Sequence, residues 1–197
     1  LLGTRFTCGL KHFGVVALFG LFFVYLTYVP LFHTDLWDHV LYGHFILDHG
    51  ELPQQDPALG LAQGVPVVCS MWLSQTIFAL VDTWGGPTQL STLYAVTVLA
   101  TYLVLFWVFY YQSGRLSLSV IGIIAVFSVV GWNRQVIIRP EMFGGLAFAI
   151  LLALLVKTDD TRDPLPQGAG WREWLTAERS RWSLWLGVPI LFALKHV

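Results

Sequence analysis

The chain has 197 residues, of which 56% are hydrophobic, 15% aromatic and 12% charged, and its formal net charge is −1. This apolar content exceeds that of an ordinary soluble domain and predicts an all-α, polytopic membrane helix bundle. The balanced charge excludes nucleic acid as a partner, because a phosphate-binding surface needs clustered lysine and arginine side chains.

Five apolar stretches approach the length that a helix needs to cross about 30 Å of hydrocarbon. They predict membrane helices at about 13–32, 89–112, 116–131, 142–156 and 183–197. The first is expected to be retained as a helix, because no small-residue cleavage site follows it. The fifth reaches only Val197 and is incomplete, so residues 1–197 are expected to be the N-terminal part of one longer transmembrane domain.

The distribution of cations predicts the orientation of these helices, because lysine and arginine in short loops are retained on the cytoplasmic side. Residues 12–114 contain neither cation, and residues 33–88 contain six acidic residues. We therefore expect an integral membrane protein with a cytoplasmic N-terminus. Its first loop, at 33–88, would be periplasmic or extracellular, and the arginine-rich loop at 157–182 cytoplasmic. Cys8 and Cys69 would lie on opposite sides of the membrane and could not pair.

The outer loop opens with an amphipathic segment at residues 35–49, seen when side chains are projected at about 100° per residue. Its polar side carries Asp35, Asp38, His39, Tyr42 and His49. This pattern predicts a surface helix with its apolar side in lipid or against neighbouring helices. His44 falls on the apolar side, where a packing role is favoured over a ligand role. Gly50 and Pro53 are expected to end the helix.

The rest of the predicted outer surface carries a second short helix, isolated acids and two arginines. The helix is expected at residues 70–86, leading to the crossing at 89–112. The acids expected to be solvated loop charges are Asp48, Glu51 and Asp82. Arg134 and Arg139 lie between the third and fourth predicted helices, on the outer side, contrary to the usual distribution of cations. This exception to the rule invites a functional explanation.

Several short motifs follow the first apolar stretch in a defined order: D-x-W-x-H, then glycine, proline and DP, then WL, and later RPE before an apolar helix. They lie at Asp35, Trp37, His39, Gly50, Pro53, Asp56, Pro57, Trp72, Leu73, Arg139, Pro140 and Glu141. This order resembles the bacterial mannosyltransferase-like branch of the C-type glycosyltransferases. Those polytopic enzymes move sugars from polyprenyl-phosphate carriers. The resemblance covers roughly residues 13–197.

The resemblance implies a membrane glycosyltransferase of the cell envelope, located in the bacterial inner membrane, with a lipid-linked sugar donor and a lipid, glycan or protein acceptor at the outer membrane face. It implies that Asp35 is the catalytic carboxylate on the acceptor side. A carboxylate there would orient or deprotonate an acceptor hydroxyl. Many relatives follow this acid directly with a second one, but here Leu36 stands at that position. Asp38, one helical turn on, is the second catalytic candidate.

The substrate-binding candidates surround these carboxylates or lie in the arginine-containing loop. They are His39, Tyr42, Arg134, Arg139 and Glu141. Arginine binds phosphate oxygens through paired donors and would stabilise a lipid phosphate as it leaves. The alternative is that the arginines pair with Glu141 or with a loop carboxylate such as Asp35 for structural reasons, and the sequence leaves both interpretations open.

Two further alternatives concern a metal ion and the class of function. Asp35, Asp38 and His39 offer oxygen and nitrogen ligands for a divalent metal, although acids on a surface helix are more often simply solvated. No other cofactor is indicated. The chain would otherwise be a non-catalytic polytopic membrane subunit or a transporter fragment. Transporters usually place ionisable residues near mid-membrane, and the first four predicted helices contain none.

Overall fold

The computed structural model describes residues 9–28, 34–57, 66–131 and 137–160. These residues form helices α1 at Leu10–Thr27, α2 at Thr34–His49, α3 at Trp72–Ser113, α4 at Leu116–Val126 with a π-helical turn at Phe127–Gly131, and α5 at Glu141–Asp160. They contain no strand, and one isolated antiparallel bridge pairs Gln55 with Pro66. The predicted fifth membrane helix at 183–197 lies outside the described residues.

Three of these helices have the length and apolar composition needed to cross a membrane. They are Leu10–Thr27, Trp72–Ser113 and the part of α5 from Glu141 to Thr158. Leu116–Val129 is a shorter apolar helix. The prediction of an all-helical chain with helices long and apolar enough to cross a membrane is therefore confirmed for the described part of the chain.

Helix α3 joins two elements that the sequence predicts separately, the short helix at 70–86 and the crossing at 89–112. The two parts meet at a kink where Gly86 has φ 67° and ψ −160°. Glycine reaches this left-handed region without a steric penalty, and Pro87 then lacks the N–H that would bond across the kink. The short first part can therefore leave the direction of the membrane crossing and pack against α2.

Helix α5 is longer than its predicted range of 142–156. It continues to Asp160 and includes Lys157 in its last turn. A cation near the C-terminus of a helix is favoured by the exposed carbonyl groups there. The Thr158 hydroxyl also donates to the Leu154 carbonyl at 2.8 Å within the last turn.

The central element is α3, which contacts α1, α2, α4 and α5. One buried cluster consists of Leu26, Leu36, Val40, Phe78, Leu90, Tyr94, Ala95 and Ile138. A second cluster consists of Phe19, Phe22, Tyr102 and Ile123. The first cluster draws residues from α1, α2 and α3 and from the segment before α5, so it holds those four parts of the chain together.

Aromatic contacts give the relative directions of α1 and α3. Phe19 lies 5.6 Å from Phe106 between ring centroids, and Phe22 lies 6.0 Å from Tyr102. Residue numbers rise along α1 as they fall along α3, so the two helices are antiparallel. The C-terminal end of α1 and the start of α2 therefore lie toward the N-terminal part of α3.

Helix α5 runs in the same direction as α3. Near its start, the ring centroid of Phe143 lies 5.8 Å from that of Phe78. Near its end, Lys157 lines an apolar groove with Trp107. The start of α5 and the first part of α3 consequently share one end of the helices, and Lys157 lies at the other end.

The apolar side of α2 has two different environments. Leu36 and Val40 are buried in the first cluster, whereas Trp37, Leu41 and Leu47 are each about two-fifths exposed. Packing against α3 therefore uses only part of the apolar side. The position of this helix at a membrane surface stays a prediction.

Candidate functional site

The site is organised around an ion pair between Asp35 and Arg139. The Nη2 atom of Arg139 donates to Oδ2 of Asp35 at 2.6 Å, although the two residues are 104 positions apart in the chain. Asp35 lies in the first turn of α2, and Arg139 comes just before α5. The two side chains are 43% and 41% exposed, and an ion pair this accessible contributes about 1 kcal/mol or less to stability.

The backbone on both sides of Arg139 is anchored. Ile138 is buried in the first cluster, and Pro140 is also buried. The Met142 N–H donates to the Arg139 carbonyl at 3.1 Å, and this bond begins the first turn of α5. The Nε atom of Arg139 is buried and has no hydrogen-bond partner among the described residues. The position of Arg139 is thus set by its backbone rather than by the ion pair alone.

His39, one turn after Asp35, is connected to the start of α3 by a short chain of hydrogen bonds. Its Nδ1 atom lies 3.2 Å from Nε2 of Gln75. The Oε1 atom of Gln75 accepts from the thiol of Cys69 at 2.8 Å. The Gln75 side chain is buried, with a relative exposure of 6%. The imidazole is therefore held by an amide that has little contact with solvent.

Burial also determines the charge of His39. It lowers the pKa of the imidazole below 6.5, and this effect exceeds the opposing attraction of Glu141, Asp35 and Asp38. The nearby cation of Arg139 lowers the pKa further. His39 is consequently neutral at pH 7. The carboxylates of Glu141 and Asp38 lie close enough to His39 for their negative charges to affect its pKa.

Tyr42 lies one turn beyond His39 and interacts with Asp56, in the segment between α2 and α3. Burial is the largest influence on its hydroxyl, followed by the charge of Asp56 and a hydrogen bond to the Asp56 carboxylate, and together they raise the pKa of Tyr42 to about 12. The phenol therefore keeps its proton. Asp56 was not among the candidate residues, and its only sequence signal is the Asp-Pro pair of the motif series.

A groove of about 290 Å³ lies between α2 and the segment that leads into α3. Its walls are formed by Asp38, His39, Tyr42, Asp56, Val67, Val68, Cys69, Ser70, Met71 and Gln75. The polar atoms come from two carboxylates and from neutral side chains, and the described lining residues include no lysine or arginine. Such a surface suits a neutral, hydroxyl-bearing molecule better than an anion, because the carboxylates accept hydrogen bonds from hydroxyls and repel negative charge.

The groove depends on a very close approach of α2 to α3. A Cβ atom added to Gly43 would lie 2.0 Å from the Gln75 carbonyl oxygen and 2.8 Å from Cβ of Ala79. No residue other than glycine leaves room for that backbone contact. The contact brings Gln75 within reach of His39, which lies one turn before Gly43 on the same helix.

A second contact between the two helices lies outside the groove lining. Nε2 of His44 is 3.2 Å from Oδ2 of Asp82, and the two side chains are 34% and 24% exposed. This agrees with the predicted packing role of His44. The prediction that Asp82 is a solvated loop charge is wrong, because it lies in α3 and has a histidine partner.

Most of the predicted site residues meet at this end of the helices. They are Asp35, Asp38, His39, Tyr42, Arg139 and Glu141. Arg134 lies outside the described residues. For Arg139, the structure shows the pairing with Asp35 that the sequence left open. The sequence did not predict Gln75 and Cys69 as site residues, because a glutamine and a cysteine beside an apolar stretch form no recognisable motif.

Among the described residues, the alternative metal ligands Asp35, Asp38 and His39 are not grouped into a metal site. Within the described ranges, no group of three or more histidine, cysteine, aspartate or glutamate side chains is arranged to hold a metal ion. The carboxylate of Asp35 faces the guanidinium of Arg139 instead, and that cation would repel a metal placed at the same oxygen. Asp35, Asp38 and His39 are therefore not supported as metal ligands.

Comparison with known protein families, curated proteins and solved structures found no match. Function is therefore inferred from the geometry around Asp35 and Arg139 and from the sequence motifs that contain them.

Proposed function

We propose that this chain belongs to a membrane glycosyltransferase that moves a sugar from a polyprenyl-phosphate donor to a lipid, glycan or protein acceptor at the outer membrane face. The observation that carries the proposal is the contact between Arg139 and Asp35. It joins an anion-binding group to the candidate catalytic carboxylate at one end of apolar, membrane-length helices.

The charges around this contact favour two adjoining subsites. A guanidinium has five N–H donors, so the bond to Asp35 leaves others on the terminal nitrogens for phosphate oxygens. The groove is lined instead by Asp38 and Asp56 and by neutral polar groups. The donor phosphate would bind beside Arg139, and the acceptor hydroxyl would enter from the groove.

The remaining candidates have roles that follow from their positions. Asp35 would orient or deprotonate the acceptor hydroxyl, with Asp38 one turn further on as the second carboxylate. His39 and Tyr42 line the groove in their neutral forms and would hydrogen-bond the acceptor. Glu141 lies near His39, in the first turn of α5, and would complete the polar surface of the site.

The alternative is a non-catalytic membrane subunit or a transporter fragment, and the same ion pair lends it some support. A half-exposed bond between α2 and the segment before α5 would also serve to hold those elements together. The two possibilities predict different results for a variant that loses the Asp35 carboxylate but keeps the helix packing. Such a variant of a glycosyltransferase loses sugar transfer, whereas a non-catalytic subunit has no transfer to lose.

The test is sugar transfer from a polyprenyl-phosphate donor by membranes carrying the full-length protein. We expect Asp35→Asn to reduce transfer by about 100-fold or more, because the amide cannot accept a proton from the acceptor. Asp48→Asn is the matched control, since Asp48 is an exposed carboxylate near the other end of the same helix. Expression and membrane insertion are measured for each variant. Equal transfer by wild type and Asp35→Asn would remove Asp35 from the mechanism.

A charge swap separates catalysis from structure. The double variant Asp35→Arg, Arg139→Asp can re-form the ion pair but moves the carboxylate away from α2. We expect it to recover the thermal stability lost in the single variants and not to recover transfer. Recovery of both would indicate a purely structural pair. Absence of transfer by the wild type with several donors would favour the non-catalytic subunit.

A further inference from the structure

The hydrogen bonds from Cys69 through Gln75 to His39 have a direction. The thiol of Cys69 donates to the carbonyl oxygen of Gln75 at 2.8 Å. The amide nitrogen of Gln75 consequently faces His39, with Nε2 3.2 Å from Nδ1 of the imidazole. An amide nitrogen is only a donor, so Nδ1 must be the acceptor in this contact.

This direction determines where the imidazole proton lies. A neutral imidazole has one donor nitrogen and one acceptor nitrogen. If Nδ1 accepts from Gln75, the proton is on Nε2. Because Gln75 is only 6% exposed, water has little access to the amide and cannot readily replace it as the partner. The tautomer of His39 is thus set by a buried residue on a different helix.

We propose that Gln75 is a positioning residue that holds His39 in the Nε2-protonated tautomer, which makes Nε2 an N–H donor on a residue that lines the groove together with Asp38 and Asp56. A hydroxyl group can accept from such an N–H and donate to a carboxylate at the same time. The groove would thereby fix the direction of an acceptor hydroxyl. This role rests on the proposed function, whereas the tautomer itself does not.

If the oxygen and nitrogen of the Gln75 amide were exchanged, the other tautomer of His39 would be expected. If the carbonyl of Gln75 faced His39, Nδ1 would carry the proton and Nε2 would be a base in the groove. His39 would then compete with Asp35 for the role of proton acceptor. The two tautomers therefore assign different chemistry to the same side chain.

Nitrogen-15 NMR of the full-length protein, labelled at histidine and held in lipid nanodiscs, distinguishes the tautomers. The signals of His39 are those absent from the spectrum of His39→Gln. We expect an unprotonated Nδ1 and a protonated Nε2 in the wild type. A wild-type protein with protonated Nδ1 and unprotonated Nε2 would overturn the proposal.

Substitutions of Gln75 test its control over the tautomer. Gln75→Glu replaces the donor with a carboxylate that only accepts, so we expect protonation to move to Nδ1. Gln75→Leu removes the partner, and we expect a mixture of tautomers. Gln112→Leu is the matched control, because Gln112 is an exposed glutamine at the far end of the same helix. A wild-type tautomer in all three variants would show that Gln75 does not set it.

Cys69 provides a second test that leaves Gln75 unchanged. Cys69→Ser keeps an O–H donor for the amide oxygen, and we expect the wild-type tautomer. Cys69→Ala removes that donor, and we expect partial reversal of the amide and a mixed tautomer. Identical spectra for serine and alanine at this position would contradict a directional chain of hydrogen bonds.

The sugar-transfer assay then tests the positioning role. We expect Gln75→Glu, which moves the imidazole proton to Nδ1, to lower transfer at least about tenfold, because His39 in that tautomer cannot donate from Nε2 to the acceptor. We expect a smaller loss in Gln75→Leu, where part of the protein keeps the wild-type tautomer, and no change in Gln112→Leu. A tautomer moved to Nδ1 by Gln75→Glu, together with full transfer by that variant, would overturn the positioning role. Failure of wild-type transfer would instead overturn the proposed function, and the NMR result would still decide the tautomer.

Discussion

At the scale of single residues, His39 is the side chain whose properties depend most on its surroundings. The sequence places it on the polar side of α2 beside two acids, a setting that would normally raise its pKa. In the folded protein, burial outweighs those carboxylates and lowers the pKa below 6.5. The histidine is therefore a neutral hydrogen-bonding group at pH 7.

This lowered pKa predicts a pH dependence of stability. Between 6.5 and the lower pKa of the folded state, the unfolded chain binds more protons at His39 than the folded chain does. The stabilising contribution of neutral His39 is therefore fully present above pH 6.5 and declines as the pH falls below it.

The measurement is the unfolding temperature in detergent from about pH 8 to about pH 5. We expect the His39→Gln variant to lose less stability than the wild type across the acidic part of this range. His49→Gln is the control, because His49 is an exposed histidine at the end of the same helix. Parallel curves for wild type and His39→Gln would contradict the prediction.

At the scale of helices, the contact between α2 and α3 decides whether the groove exists. Its closest point is Gly43, where the backbone of α2 approaches the Gln75 carbonyl. The helical pattern at 35–49 predicts α2 well, and the observed helix is Thr34–His49. The pattern does not predict which face α2 turns toward α3, because Leu36, Leu41 and Leu47 are equally apolar on a helical wheel.

Substitution of Gly43 tests this contact. We expect Gly43→Ala to destabilise the protein by about 1–3 kcal/mol, because a Cβ atom cannot occupy the space next to the Gln75 carbonyl without separating the helices. The same separation should lengthen the bond between Gln75 and His39 and allow both tautomers. Thermal unfolding in detergent measures the stability.

Gly145→Ala is the matched control for that substitution. Gly145 lies inside α5, and apart from the neighbouring backbone of its own helix a Cβ atom there would meet none of the described residues within 4 Å. We expect this change to be neutral or to stabilise by up to about 1 kcal/mol, because alanine is the better helix former. Equal destabilisation by the two substitutions would show that the effect at Gly43 is not steric.

At the scale of the whole molecule, the charged groups separate toward the two ends of the helices. Asp35 and Arg139 meet near the start of α5, whereas Arg115 and Lys157 lie at the opposite end, after α3 and in the last turn of α5. If the helices cross a membrane, the candidate site and these two cations lie on opposite sides. The cation distribution predicts that the site is outside.

Thiol labelling tests this orientation. In a background with Cys8→Ser and Cys69→Ser, single cysteines are introduced by Asp48→Cys and Lys157→Cys. We expect a membrane-impermeant maleimide to label Asp48→Cys in intact spheroplasts and to label Lys157→Cys only after permeabilisation. The reverse pattern would invert the orientation, and labelling of both in intact spheroplasts would contradict a membrane crossing between them.

The sequence by itself determined the membrane class and the approximate position of each described helix, because both depend on the length and periodicity of local apolar runs. The tertiary structure decided the partners within the site. The pairing of Asp35 with Arg139 spans 104 positions, and the contact of His39 with Gln75 spans 36. Local patterns cannot specify such contacts, because they depend on how closely helices pack. Here that packing depends on Gly43, where glycine lets the backbone of α2 approach α3 closely, and on the bend in α3 at Gly86.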